Sequence, residues 1–131
     1  GNISKNARKG TLRGLHYQLP PHREAKVLSC ISGSLFNVIL DLRADSKSFG
    51  SWVSIEVSSR NHRSVFVPEG CANGFLTLAD DTTVHYYMSE FFSPSHYLGV
   101  RYDDSQFGIR WPLSPVVISE RDRNFPDFRE P

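Results

Sequence analysis

The feature that most constrains the fold is a series of short β-type runs separated by turn signals. Residues 51–58 alternate polar and apolar side chains, as expected for a strand with one buried face. No long amphipathic helix interrupts the series. Turn-forming dipeptides recur at Asp45-Ser46, Arg60-Asn61 and Asp80-Asp81. Short strands at this spacing predict an antiparallel sandwich, jelly roll or barrel.

The run at residues 25–32 is separated from the run at residues 35–43 only by Gly33-Ser34. This arrangement predicts a tight β-hairpin. The second run has one apolar face and one mixed face, which is typical of a strand beside a polar cavity. The C-terminal third is rich in proline and is predicted to form loops and short turns over one end of the barrel. Further strands are predicted at residues 51–58, 64–67, 74–79 and 84–89.

The length of 131 residues predicts one domain, residues 1–131. Fifteen basic residues against 14 acidic ones give a net charge of +1, which disfavours nucleic-acid binding through bulk charge. No apolar run is long enough to predict a membrane span, and no signal peptide is visible. Two cysteines are too few for a disulfide framework, so we expect a cytoplasmic protein.

The segment GTLRGLHYQ at residues 10–18 carries the strongest chemical signal. Arg13 offers a cation for an anionic group, and His16 offers a titratable base three residues later. Gly14 indicates that the backbone turns there or approaches another segment closely. The alternative interpretation is a structural strand that contains one hydrogen-bonded histidine.

Four more residues are candidates for chemistry, each with a structural alternative. Lys26 and Asp41 lie in neighbouring predicted strands and can neutralise each other if both point into the barrel. Otherwise Lys26 is an exposed charge at a sheet edge. Tyr86 is either catalytic or part of the core. Asp122 is either functional or part of a solvated charged turn.

Residues 68–75 have the form of the second cupin motif, Pro-x-Gly-x-x-His, with Asn73 at the histidine position. The His-x-His pair of the first cupin motif is missing, and the five histidines are scattered along the sequence. We therefore expect no metal centre. Phe91 and Phe92 form either a stacking surface or a plug of core.

Together these segments resemble the dTDP-4-dehydrorhamnose 3,5-epimerase family, which comprises cupin-type enzymes of nucleotide-sugar metabolism. The resemblance implies an all-β cupin jelly-roll sandwich or barrel with a short helical or loop segment at the C-terminus. It extends over nearly the whole chain in the family's order. The matching segments are residues 9–18, 40–43, 48–50, 67–70, 74–75, 92–94, 108–112 and 119–124, together with Trp52.

The resemblance also implies roles for single residues. His16 becomes the general base, Asp122 its orienting carboxylate, Tyr86 the acid and Lys26 the catalytic lysine. Arg13 meets the nucleotide diphosphate, and an aromatic side chain at Phe91 or Phe92 stacks on the base. The full set of implied substrate-binding residues is Arg13, Gln18, Asp41, Asn73, Phe91 and Phe92.

The expected reaction is epimerisation at C3, C5 or both of a nucleotide-linked 4-keto-6-deoxy sugar. The carbonyl acidifies the neighbouring protons, a neutral imidazole removes one, and Lys26 stabilises the enolate. Tyr86 returns a proton on the opposite face. Neither a redox cofactor nor a metal is needed. The expected partners are a nucleotide-diphosphate sugar and a second copy of the chain, with no nucleic acid and no membrane.

Two departures from the family keep other hypotheses open. Asparagine at position 73 cannot carry a charge or shuttle a proton, and the family's segment before residues 9–18 is almost entirely missing. We expect either a naturally short chain or an incomplete one. The alternatives are a mono-epimerase, a cupin that binds a nucleotide sugar without turnover, and a metal-dependent cupin oxygenase or isomerase.

Overall fold

The computed structural model describes residues 1–130, which form two facing, mainly antiparallel sheets and only one short α-helix. The predicted all-β cupin sandwich is therefore confirmed. The elements are β1 (Asn2–Asn6), β2 (Thr11–Gln18), β3 (Lys26–Ser32), β4 (Ser34–Asp41), β5 (Trp52–Ser58), β6 (Ser64–Val67), β7 (Cys71–Thr77), β8 (Thr82–Met88), a 3-10 turn (Pro94–His96), β9 (Tyr97–Gly99), β10 (Val117–Ile118) and α1 (Glu120–Arg123).

The smaller sheet has four strands in the order β1–β8–β3–β6, and each pair of neighbouring strands is antiparallel. The larger sheet has the order β10–β2–β7–β4–β5, with β9 also paired to β2. The short strand β10 runs parallel to β2, whereas the other pairs are antiparallel. Consecutive strands thus often belong to different sheets, as in a jelly roll.

The predicted hairpin at residues 25–43 is wrong. The strands β3 and β4 do follow each other directly, but β3 pairs with β6 and β8 while β4 pairs with β5 and β7. Gly33 lies between them with a φ of 79°, and a Cβ at this position would collide with Thr82. The glycine therefore marks the point where the chain crosses from one sheet to the other.

Two apolar cores lie on opposite sides of the larger sheet. The inner core fills the space between the sheets and includes Leu28, Leu35 and Phe75. The outer core joins Leu15 and Val38 to side chains of the C-terminal third, among them Val100, Phe107, Trp111 and Phe128. The C-terminal segments thus cover the outer face of the larger sheet rather than one end of the barrel.

The outer face of the smaller sheet is exposed and partly apolar. Val27 is the register partner of both Phe66 and Tyr87, so these three side chains form one row across the sheet. Ile3 on the edge strand β1 is also exposed.

Within residues 1–130, the structure contains no helix that is both long and apolar enough to cross a membrane.

Candidate active site

A β-bulge in β2 turns Arg13 and His16 toward the same side of the sheet. Arg13 is the partner of Phe75, and His16 is the partner of Asn73. Three steps along β2 therefore match two steps along β7. In a regular strand residues 13 and 16 would point to opposite faces, so the extra residue brings both side chains onto the inner face.

Gly14 allows this bulge because it combines a positive φ with a very close backbone approach. Its φ is 111°, and a Cβ at this position would lie 2.7 Å from the Asn73 carbonyl oxygen and from the Gly74 Cα. Only glycine fits both conditions without strain. The freed N–H of Gly14 donates a hydrogen bond to Oδ2 of Asp122 at 3.0 Å. The prediction of a turn or close approach at Gly14 is confirmed.

His16 and Asp122 form a buried hydrogen-bonded pair, with 2.7 Å between Nε2 and Oδ1. Their side chains are 16% and 6% exposed. Asp122 lies on α1, where its own backbone N–H donates to the Ser119 hydroxyl at the helix N-terminus. The carboxylate is thus fixed by the imidazole, by the N–H of Gly14 and by the helix cap.

The pair is held as a neutral imidazole beside an ionised carboxylate. Burial lowers the pKa of His16 below its ordinary value, and the hydrogen bond to Asp122 only partly offsets this. Burial acts in the opposite direction on the pKa of Asp122, but the bonds from His16 and Gly14 and the nearby Arg121 keep that pKa below its ordinary value. With Nε2 protonated toward Asp122, Nδ1 is the basic nitrogen.

A cavity of about 490 Å³ opens beside this pair and has two facing walls. The His16 wall belongs to the larger sheet and α1, and it carries Asn73 as well. The Lys26 wall belongs to the smaller sheet and carries Tyr86 on β8. The cavity therefore brings together all four of the predicted catalytic residues, His16, Lys26, Tyr86 and Asp122.

Lys26 pairs with a carboxylate that the sequence did not single out. Its Nζ lies 3.4 Å from Oε1 of Glu24, and both side chains line the cavity. Neither alternative for Lys26 holds, because Asp41 does not neutralise it and its side chain is only 12% exposed. Asp41 instead accepts hydrogen bonds from the Arg43 guanidinium and from the hydroxyls of Ser46 and Ser48. These bonds hold Asp41 in a local turn outside the cavity.

Tyr97 is a second residue that the sequence did not single out. Its ring lies 5.0 Å from that of His16 and 4.9 Å from that of Phe92, measured between centroids. The Arg121 guanidinium lies over the Tyr97 ring, 5.0 Å from its centroid. Burial raises the pKa of the Tyr97 phenol, so the side chain stays neutral and packs against the imidazole. Its strand β9 has three residues, too few for a periodic pattern.

The predicted substrate-binding residues divide into two groups. Arg13, Asn73 and Phe92 line the cavity. The Arg13 Nε donates to Oδ1 of Asn6 at 2.7 Å, which holds the guanidinium at the rim. Oδ1 of Asn73 is buried and has no hydrogen-bond donor among residues 1–130. Phe92 is 60% exposed beside Tyr97, whereas Phe91 is 90% exposed and does not line the cavity.

Gln18 lies outside the cavity, where its amide ties two loops together. Its Nε2 donates to the His22 carbonyl at 2.7 Å, and its Oε1 accepts from the Ser93 N–H at 2.7 Å. The residue also lines a second cavity of about 470 Å³ on the other side of β2, which contains Arg23 and Glu130 but no histidine. Asp41, Gln18 and Phe91 are therefore separated from the four catalytic candidates.

Within residues 1–130, no group of three or more His, Cys, Asp or Glu side chains has a geometry that could hold a metal ion. Cys30 and Cys71 are free thiols. Burial is the main cause that raises the pKa of both thiols, which does not favour a nucleophilic thiolate. Neither thiol lines the cavity beside His16 and Lys26.

Comparison with known proteins agrees with this geometry. The family model of dTDP-4-dehydrorhamnose 3,5-epimerase matches residues 1–130. A dTDP-4-dehydrorhamnose 3,5-epimerase of Sinorhizobium fredii is 42% identical over 130 residues, which are 98% of this chain and 67% of that relative. The crystal structure of the Bacillus anthracis enzyme, with TDP and PPi bound, has a TM-score of 0.94 at 39% identity and covers 97% of this chain and 73% of its own.

A solved 3'-monoepimerase of Streptomyces bikiniensis, ChmJ in complex with dTDP-quinovose, is also similar. Its TM-score is 0.87 at 34% identity, over 95% of this chain and 63% of that one. The chain belongs to the dTDP-4-dehydrorhamnose 3,5-epimerase family. The family predicted from the sequence motifs, and with it the epimerase class of enzyme, is confirmed.

Proposed function

We propose that this chain epimerises a nucleotide-linked 4-keto-6-deoxy sugar at C3, C5 or both. The observation that carries the proposal is the pair of facing walls, with the His16–Asp122 pair on one and Lys26 and Tyr86 on the other. Inversion of a carbon requires a base and an acid on opposite faces of the sugar. The cavity offers both across one space.

His16 acts as the base. A proton on a carbon beside the ketone is acidic because the resulting charge moves onto the carbonyl oxygen. Nδ1 of His16 takes this proton while Asp122 stabilises the imidazolium that forms. The depressed pKa of His16 keeps the imidazole neutral and ready at neutral pH. The imidazolium then releases its proton to solvent.

Lys26 and Tyr86 complete the reaction from the opposite wall. The Lys26 ammonium, whose side chain is 12% exposed, stabilises the enolate oxygen. Tyr86 donates its phenolic proton to the carbon on the face opposite His16 and regains a proton from solvent. Atoms and charges balance without an external oxidant or reductant.

The nucleotide end of the substrate lies along the rim. Arg13 offers a guanidinium fork to the diphosphate oxygens, with Asn6 holding Nε. Phe92 presents an exposed aromatic ring to the nucleobase and rests against Tyr97. Asn73 offers its amide to a sugar hydroxyl or carbonyl. Phe91, Gln18 and Asp41 are not needed for this arrangement.

Proton NMR of dTDP-4-keto-6-deoxyglucose with the protein in deuterated water tests the proposal. We expect the C3 and C5 proton signals to disappear as deuterium enters and the product forms. The CDP-linked analogue identifies the preferred nucleotide. If the protein binds both substrates but exchanges neither proton in either of them, the proposed catalysis is wrong and a nucleotide-sugar-binding cupin is favoured.

Asn73 favours a second candidate function, mono-epimerisation at C3 or C5. Asn73 lines the cavity at the position where the family resemblance implies a histidine. Its neutral amide cannot accept and release a proton as a histidine would. In the same NMR experiment a mono-epimerase loses only one of the two signals. Asn73→His should then restore exchange of the second proton, and its failure to do so would remove Asn73 as the cause.

We also propose a homodimer, formed through the exposed outer face of the smaller sheet. Val27, Phe66 and Tyr87 form an apolar row there, beside Ile3 on the edge strand. Light scattering coupled to size-exclusion chromatography should give twice the mass of the chain, and Phe66→Lys should shift it to the monomer. A monomer at micromolar concentration in the unmodified protein would contradict this. A cytoplasmic location stays a prediction.

A further inference from the structure

A second buried ion pair shares the cavity with His16 and Asp122. The Glu24 carboxylate, 5% exposed, lies 3.4 Å from the Lys26 ammonium, which is 12% exposed. Lys26 has a part in the reaction described above, whereas Glu24 has none. A carboxylate this deeply buried is costly unless it is paired. Its presence beside the catalytic lysine therefore calls for a role.

The spacing of the two residues explains how they come to face the same cavity. Glu24 precedes β3 by two residues, and Lys26 is the first residue of that strand. Side chains two apart in extended chain point to the same side, so both are directed inward. Leu28, two residues further on, also lines the cavity. The loop before the strand is anchored nearby by Gln18, which binds the His22 carbonyl.

The other charges of the cavity cannot replace Glu24. Asp122 is committed to His16 and to the N–H of Gly14. Burial lowers the pKa of Lys26, and Glu24 is the group that opposes this change. The titratable and charged side chains that line the cavity around this pair are Arg13, His16, Tyr86, Tyr97, Arg121 and Asp122.

We infer that Glu24 is a positioning residue that keeps the Lys26 ammonium charged and directed at the enolate oxygen. The inference rests on the proposed function, since it assigns Glu24 to the same reaction. Glu24 touches the lysine and not the reacting carbon. Its negative charge sets the highest pH at which Lys26 stays protonated. The His16–Asp122 pair sets the lowest pH at which the imidazole is free to accept a proton.

The substitution Glu24→Gln tests this inference because it keeps the shape and removes the charge. Without the carboxylate, the pKa of Lys26 falls further. The alkaline limb of kcat should therefore move to lower pH by about 1 unit or more, with KM nearly unchanged. Glu24→Asp keeps the charge and should give a smaller shift. Glu56→Gln, at an exposed position on β5, is the matched control and should leave the profile unchanged.

A second readout needs no substrate. The rate of acetylation of Lys26, followed by mass spectrometry across a pH series, reports how much of the amine is deprotonated. In Glu24→Gln the reactive amine should appear at lower pH than in the unmodified protein. If the unmodified protein exchanges no deuterium into any sugar, the proposed function fails while this labelling still tests the pair.

Two results would overturn the role of Glu24. One is an unchanged pH profile together with an unchanged labelling profile of Lys26. The other is a uniform loss of kcat at every pH with a lowered melting temperature, because that pattern describes a merely structural residue. A shift of the alkaline limb that Glu24→Asp largely reverses is the result that supports it.

Discussion

The two walls of the cavity hold their functional side chains by different means. On the His16 wall, a β-bulge and the packed ring of Tyr97 fix the base. The Asp122 carboxylate accepts one hydrogen bond from His16 and one from the Gly14 N–H. On the Lys26 wall, the ammonium has one ion pair, formed with Glu24. Tyr86 lies on a regular strand and is the register partner of Leu28.

The difference suggests a division of labour. Proton removal from carbon requires a base of set orientation and set protonation state. The His16 wall supplies both through backbone geometry. Formation of the enolate also requires the Lys26 charge, whereas return of the proton on the opposite face requires the Tyr86 phenol. Loss of His16 should therefore stop exchange, whereas loss of Tyr86 should spare exchange and reduce inversion.

The largest effect is expected for His16→Gln. Glutamine can accept a hydrogen bond but cannot take a proton from carbon. Deuterium exchange at C3 and C5 should fall by on the order of 10³-fold. The exposed turn residue His62 provides a control in His62→Asn, which should retain full exchange. If His16→Gln still exchanges protons at the unmodified rate, His16 is not the base.

A somewhat smaller effect is expected for Asp122→Asn. The amide no longer stabilises the imidazolium, so exchange should fall by on the order of 10²-fold. Since Asp122 raises the pKa of His16, its removal lowers that pKa further. The acidic limb of the pH–rate profile should therefore move to lower pH. Glu120→Gln on the same helix is the matched control, and a shift of the limb to higher pH in Asp122→Asn would contradict the account.

The smallest effect is expected for Asn73→Ala, because this residue binds without taking part in proton transfer. Losing one hydrogen bond to the sugar should raise KM by about 10-fold and leave kcat within a few-fold. Steady-state kinetics on the preferred substrate measure both values. A fall in kcat as large as that of Asp122→Asn would instead assign Asn73 to the chemistry.

Much of the fold could be predicted because its signals are local. The alternation at residues 51–58 became β5, and the apolar run at residues 64–67 became β6. Glycine at position 14 predicted the close backbone approach that the bulge requires. The prediction of a hairpin at residues 25–43 was wrong because its signal is also local. Gly33 indicates a reversal of chain direction, which can occur within one sheet or between two sheets.

The partners of the site residues could not be predicted, because they depend on tertiary contacts or on local competition. Lys26 is partly buried and Asp41 is buried, but the Arg43 guanidinium and two serine hydroxyls of the same turn donate hydrogen bonds to the Asp41 carboxylate. The partner of Lys26 is a glutamate in a polar stretch that looks like an ordinary surface loop. Tyr97 reaches His16 only because β9 pairs with β2 across some 80 residues of chain.

The division between the walls is tested most directly by Tyr86→Phe in deuterated water. NMR can follow two quantities in one sample, the exchange of the C3 and C5 protons and the appearance of the inverted product. We expect exchange to persist, because His16 still removes and returns protons on its own face. The inverted product should fall by on the order of 10²-fold, because the acid on the opposite face is lost. Inversion at the unmodified rate, or loss of exchange as complete as in His16→Gln, would contradict the account.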